Sequence, residues 1–418
     1  MARAWRELSK IVRTSSHDSP VFASLMCLVV TAIIGCGSAQ EENVGDYQQA
    51  AKIHARAIVV DGHNDLPWRL RMEFASSLDE FDLSLRHEDG HTDIPRLRDG
   101  GVGAQFFAAY VPSEIEEGAA RYATEQIELI KRLAARYPDL EMAYSVDDVR
   151  RIVESDKIAA LIGIEGGHTI ENSLAVLREF YELGVRYMTL THASNTDWAD
   201  AATDEPRHDG LSEFGEDVVR EMNRLGMLVD ISHISAEAMK DVLRVSEAPV
   251  VASHSGALAI NDHARNIPDD VLRLVAENGG VVMVNFYSGF VVPEAADIVR
   301  NMFDVVRDLR AKYGDDDEAV DEGWRAWSAE NPVPQGTVGD LVDHIDHIVS
   351  QAGIDHVGLG SDFDGITVSP VGLEDVSKFP AITEELLHRG YTEEDIVKIL
   401  GENCLRVLAV AESVAQQD

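Results

Sequence analysis

Eight short apolar runs alternating with longer amphipathic segments predict an α/β chain folded as a (β/α)8 barrel. Two further observations support that fold class. Most runs are four to six residues of Val, Ile, Leu, Met and Ala, as in parallel strands buried on both faces. Histidines and carboxylates recur just past the ends of the runs, where barrels carry their functional side chains. At about 150 residues per domain the 418-residue length suggests two or three domains, but one barrel with insertions also accommodates it. A doubly wound open sheet is the competing architecture. No Gly-x-Gly-x-x-Gly turn follows the first run, which weighs against its dinucleotide-binding form.

The chain opens with a segment outside this pattern. Arg3, Arg6, Lys10 and Arg13 precede an apolar run from Val21 to Gly35, shorter than the ~20 residues of a membrane span. A basic flank, an apolar stretch and small residues near its end read as a secretory leader over residues 1–35. Ile33-Ile34-Gly35-Cys36 resembles the bacterial lipobox, which makes Cys36 a candidate for lipidation and the protein a candidate envelope lipoprotein, periplasmic or outer-membrane. Ordinary signal cleavage and an uncleaved anchor are the plainer readings. Residues 36–50 are expected to form a polar linker, and residues 51–415 a single barrel domain.

The eight strands are expected at Ala57–Asp61, Gly103–Ala108, Ala159–Ile164, Tyr187–Thr191, Leu228–Ile231, Val250–Ser253, Val281–Asn285 and His356–Gly360. Helical patterns between them cover Asn172–Leu183, Ser212–Leu225, Ala236–Val245 and Asp269–Glu277. Ser235 supplies a cap before one, and Pro268-Asp269-Asp270 opens another. The stretch from Val291 to Thr337 exceeds a barrel connection. It holds a helical pattern (Ala296–Lys312), an acidic cluster (Asp315-Asp316-Asp317-Glu318), two tryptophans and Pro332-x-Pro334. It is expected to be an insertion on the rim.

Acids outnumber bases 74 to 36, a net charge of −38. Removing the leader takes away four bases and two acids, leaving 72 acids, 32 bases and a charge of −40. Such a field repels nucleic acid and anionic lipid, so contact with a membrane is expected only through an N-terminal lipid. A solvated acidic surface is the simple reading, with adaptation to high salt as the sharper one. Of three cysteines only Cys36 and Cys404 follow the leader, so no intramolecular disulfide is expected.

The strand ends carry, in order, His63-Asn64-Asp65, Glu165, His192, His233, His254 and Asp362. His63 and Asp65, two apart on an extended chain, share a face and can grip one ion. Glu165 ends an apolar strand, where an unpaired carboxylate costs several kcal/mol, and Gly166-Gly167 lets the chain turn sharply after it. His233 and His254 close the fifth and sixth strands, and imidazole suits zinc and other borderline metals. Together these five are hard to explain as packing. Glu165 bridging two ions would complete one site with His63 and Asp65 and the other with His233 and His254. Each ion then keeps an open position, as in catalytic zinc sites. His87, His91, His168 and His208 are placed in the structural class.

These residues sit in motifs that resemble the membrane dipeptidase (renal dipeptidase) family, zinc peptidases with an amidohydrolase-type barrel. The resemblance runs from about Ile53 to Leu408. It rests on Val60-Asp61-Gly62-His63-Asn64-Asp65, Thr92-Asp93-Ile94-Pro95-Arg96-Leu97, Gly163-Ile164-Glu165-Gly166-Gly167-His168, Leu190-Thr191-His192, Asp230-Ile231-Ser232-His233, Ser253-His254-Ser255, Arg265-Asn266-Ile267-Pro268 and Gly360-Ser361-Asp362-Phe363-Asp364-Gly365. It implies the same metal ligands, His63, Asp65, Glu165, His233 and His254, around two Zn2+ ions bridged by Glu165 and a water or hydroxide. It implies that His192 contacts the scissile carbonyl, that Arg265 holds the substrate's carboxylate, and that Asp362 is the acid/base. Asp364, two residues on, competes with Asp362, which directly follows the strand. The resemblance extends to a homodimer and to dipeptides ending in a D-residue, while the animal members' disulfides have no counterpart here. The sequence leaves two alternatives: a related binuclear amidohydrolase acting on another amide, lactam or N-acyl amino acid, and an inactive cell-surface binding protein.

Overall fold

The structure is a computed structural model that describes residues 47–415 apart from residues 116 and 315. The leader, Cys36 and all but the last four residues of the expected linker lie outside the described residues. A helix over residues 47–54 leads in and buries Ile53 in the core.

Nine strands follow: β1 (Val59–Asn64), β2 (Val102–Tyr110), β3 (Leu140–Met142), β4 (Ile158–Glu165), β5 (Val185–Thr189), β6 (Leu228–Asp230), β7 (Val251–Ser255), β8 (Val281–Val284) and β9 (Val357–Leu359). All their pairings are parallel, in the order β2-β1-β9-β8-β7-β6-β5-β4, and β2 pairs with β4 to close the ring. Eight strands therefore form a closed (β/α)8 barrel, as the sequence predicts. β3 is an addition. Leu140↔Ile158 to Met142↔Ala160 place it beside the start of β4, where β5 has not yet begun to pair.

The period of two along a strand divides the core into two parts. In β4, Ala159 and Leu161 belong to an apolar cluster with Val60, Phe106, Leu228 and Met283, while Ile158, Ala160, Ile162 and Ile164 pack with the residues of the helices. Glu165 continues the inward series of Ala159, Leu161 and Gly163, so its carboxylate emerges at the barrel's carboxyl end. Tyr110 is its register partner on β2. The β1–β2 pairing slips between Asp61 and Asn64, an irregularity of the kind that re-aims a side chain next to a site.

The helices begin where hydroxyl caps predict. Ser173, Ser212 and Ser235 accept from backbone N–H groups three residues on, at the starts of Leu174–Glu182, Glu213–Leu225 and Ala236–Val245. The segment after β8 that the sequence sets apart as an insertion forms two helices, Ala296–Tyr313 and Asp317–Glu330, which pack against each other. Only the first shows in the sequence pattern. Among the described residues no helix is long and apolar enough to cross a membrane.

Candidate metal centre and active site

The residues expected at the strand ends converge. Glu165 sits among the histidines with its two oxygens divided: Oε2 lies 3.6 Å from His63 Nε2, and Oε1 lies 3.0 Å from His233 Nε2 and 3.4 Å from His254 Nε2. Asp65 Oδ2 is 3.3 Å from His63 Nε2. His192 follows three residues after β5, which ends at Thr189 and not at the expected Thr191, and its Nε2 is 4.0 Å from Glu165 Oε1. Asp362 joins His63 and Asp65, the three having ligand atoms within 4.8 Å of one another.

Turning two of these groups inward goes with unusual backbone. His233 and Asp362 adopt φ of 68° and 62°, left-handed values that cost a non-glycine residue on the order of 1–3 kcal/mol each, and Asp364 beside them adopts 64°. At Gly365, a Cβ would overlap Asp65 Oδ2 and lie 2.6 Å from Asp362 Oδ1. Only a residue without a side chain lets the two carboxylates approach there.

The donor set fits metal ions. His233 Nε2 and His254 Nε2 stand 2.9 Å apart beside Glu165 Oε1, and His63 Nε2 and Asp65 Oδ1 are buried without a hydrogen-bond partner. Burial holds His233 and His254 well below the ordinary imidazole range, which keeps them neutral and able to coordinate. Burial also pulls His63 down, but Tyr187 and the Glu165 and Asp65 carboxylates beside it outweigh that and carry it well above that range. The cluster thus demands positive charge at its centre, and divalent ions held by imidazole and carboxylate supply it. The ends of Glu165 face different partners, as a bridging carboxylate requires.

Around this centre lie the three residues for which the sequence expects other roles. Burial lifts the Asp362 carboxyl well above the usual carboxylate range, and Asp65 and Glu165 add to it against the pull of His63. Asn285 Nδ2 donates to Asp362 Oδ2 at 2.8 Å, leaving Oδ1 toward Asp65. Burial lowers His192 below its ordinary value, and Tyr110 packs edge-on against its ring with centroids 4.8 Å apart. Arg265 is 2 % exposed, and burial brings its guanidinium down to about 10. Its NH2 donates to the His254 carbonyl at 3.1 Å, its NH1 reaches Ser255 Oγ only at 3.5 Å, and its Nε has no acceptor. Among the described residues no carboxylate pairs with it.

Asp364, the competitor of Asp362, faces elsewhere. Its Oδ1 accepts from the His91 backbone N–H at 2.8 Å, and Arg69 stands beside it at 3.5 Å. His91 Nδ1 in turn accepts from the Asp364 backbone N–H at 2.8 Å, and His87 bonds within its own loop, to the Asp82 carbonyl. Burial brings His168 down to about 4.

Several neighbours of the site escape the sequence reading. Tyr187, in the middle of β5, reads as a core residue, yet its hydroxyl reaches His63. Asp230 and Ser253 precede His233 and His254 and sit behind the latter. Tyr110 could have been found: it ends the one early barrel strand to which no functional residue was assigned.

The sequence model of the family described as Membrane dipeptidase (Peptidase family M19) matches residues 47–418. The chain belongs to that family. Its members are metallo-dipeptidases, hydrolases acting on peptide bonds. Dipeptidase 3 of Mus musculus is 42% identical over 377 residues, covering 88% of this chain and 68% of the mouse protein. Among solved structures, the probable dipeptidase PvdM from Pseudomonas aeruginosa superposes with a TM-score of 0.76 at 26% identity, covering 89% of this chain and 100% of that one. A metallopeptidase from Rhodobacter sphaeroides, solved with a phosphinate mimic of the dipeptide L-Ala-D-Ala, gives 0.70 at 27% identity, covering 85% and 99%.

Proposed function

We propose that this metallo-dipeptidase is zinc-dependent and recognises dipeptides by their free carboxylate. The observation that carries the reading is Arg265, a buried cation beside the metal-ligand cluster with no carboxylate partner among the described residues. An unpaired buried charge is costly, so the cost is offset when a substrate carboxylate completes the pair. Its Nε, without an acceptor, and its weakly held NH1 leave donors for a substrate carboxylate.

In this reading His63, Asp65 and Glu165 would hold one Zn2+, and Glu165, His233 and His254 would hold the second. When bound, the ions supply Lewis acidity and a more acidic water. His192 donates a hydrogen bond to the developing oxyanion. Asp362, with a raised pKa and Oδ1 facing the centre, takes the proton of the attacking water and gives it to the leaving amine. Asn285 fixes which of its oxygens does so. Capturing the carboxylate close to the reacting centre limits substrate length.

The mimic held by the Rhodobacter relative supports extending the substrate class to dipeptides with a C-terminal D-residue. A lipid anchor on Cys36, export to the envelope and a homodimer belong to the same proposal. The test compares L-Ala-L-Ala with its C-terminal amide, before and after metal chelation. The reading expects cleavage of the free acid alone, lost on chelation and restored by zinc. Equal cleavage of the amide would favour an amidohydrolase of broader scope.

A further inference from the structure

The outer nitrogens of two site histidines end on hydroxyl groups. His63 Nδ1 lies 2.8 Å from the Tyr187 hydroxyl, which donates to the Gly62 carbonyl at 3.1 Å. A carbonyl oxygen only accepts, so the one Tyr187 proton is committed to it, and the phenol oxygen must accept from His63 Nδ1–H. His254 Nδ1 lies 2.7 Å from Ser253 Oγ, whose hydroxyl donates to Asp230 Oδ2 at 2.6 Å. A carboxylate also only accepts, so here again the imidazole Nδ1 is the donor. Both rings therefore carry a hydrogen on the outside and can turn a free Nε2 lone pair inward, the form a metal ligand needs.

Both arrangements are built into the barrel. Tyr187 points inward from β5, its ring 5.1 Å from that of Phe106, and occupies space that a Cβ on Gly163 would overlap. Asp230 is completely buried at the end of β6. Besides Ser253 Oγ it accepts from Thr189 Oγ1 at 2.5 Å, Ser232 N at 3.0 Å and Ser253 N at 2.9 Å, and among the described residues no cation pairs with it. Its orientation is fixed, so the serine proton has one destination. His233 differs: its buried Nδ1 has no partner among the described residues.

We propose that Tyr187 and the Ser253–Asp230 pair are positioning residues that, through a hydroxyl, fix His63 and His254 as Nε2 metal ligands, one in each ion site. This rests on the two-ion reading above. Partners of this kind are worth about 10–100-fold in metal affinity.

The experiment uses the full chain, stripped of metal and titrated with Zn2+ against a chromophoric chelator, as wild type, Tyr187→Phe and Ser253→Ala. Unfolding of each stripped protein is followed in parallel. The expected result is two ions in the wild type, with one of the two bound about 10–100-fold more weakly in each variant. For Tyr187→Phe, which keeps the ring in place, the stripped protein should unfold close to wild type. Zinc affinities within about twofold of wild type in folded Tyr187→Phe would overturn the proposal for His63, whatever Ser253→Ala does. Lower stability of the stripped variants with unchanged zinc affinity would show a merely structural role and overturn it for both. A wild type that binds no zinc would instead defeat the two-ion reading itself.

Discussion

Replacing Arg265 by Met keeps an unbranched side chain of similar length over the Phe290 ring, which lies 5.4 Å from the guanidinium carbon, and removes the charge and the donors. Of those donors NH2 is engaged by the His254 carbonyl, whereas Nε is free and NH1 nearly so. Two charge-assisted hydrogen bonds to a substrate carboxylate are thus lost, at about 1.5–3 kcal/mol each. A total of about 3–6 kcal/mol corresponds to roughly 10²–10⁴ in kcat/KM. The assay is a cycle: wild type and Arg265→Met, each with a dipeptide and with its C-terminal amide. If Arg265 reads the carboxylate, wild type loses most of its activity on the amide, and the variant is poor on both with little difference between them. A variant that still prefers the free acid by the wild-type ratio would refute the assignment, because discrimination would then lie elsewhere. Arg265→Lys should recover only part of the loss, since an ammonium cannot present two parallel donors.

Gly365→Ala should cost more than about 10²-fold in activity with the fold retained, because the new methyl displaces both Asp65 and Asp362; near-normal turnover and zinc content would contradict the packing described. Stripping the metal should lower the thermal midpoint, and zinc at about 1,000 times its Kd should restore about 4 kcal/mol, read as a shift in unfolding. His344 gives a pH dependence of its own. Burial brings its pKa from 6.5 to about 4, its Nδ1 accepts from Ala257 N–H and its Nε2 donates to the Val291 carbonyl. With the folded value below the unfolded one, the stability from neutral His344 is complete above about pH 6.5 and is lost as pH falls toward about 4, in total about 3 kcal/mol. Denaturant unfolding of His344→Gln should therefore show a shallower loss between those pH values; a slope equal to wild type would sink the linkage. Cys404, buried with its thiol pushed up to about 12, should not react with a thiol reagent until the chain unfolds.

The barrel was legible because a strand buried on both faces must be apolar throughout, and eight such runs are hard to mistake. β3 was not, since Leu140-Glu141-Met142 has no apolar run and exists only because β4 begins before β5 can pair with it. Glu165 and the histidines stood out as polar residues interrupting apolar runs. Asn285, by contrast, closed a predicted strand as an ordinary polar end, and nothing local marks it as the partner of Asp362. Tyr187 and Ser253 were hidden for a physical reason: their parity places them in the barrel interior, where the sequence reads core. The left-handed turns at His233, Asp362 and Asp364 lack the glycine that would announce them. Such strain is held by tertiary structure and leaves no local signature.

The central claim is a two-zinc dipeptidase in which Asp362 carries the proton. The most direct measurement is hydrolysis of L-X-L-Y and L-X-D-Y dipeptides and matched tripeptides by the metal-stripped protein, with and without zinc, beside Asp362→Asn. Zinc-dependent cleavage of dipeptides but not tripeptides, abolished in the variant while its zinc content stays at two ions, is the predicted result. A folded wild type that holds two zinc ions and cleaves no dipeptide would contradict it.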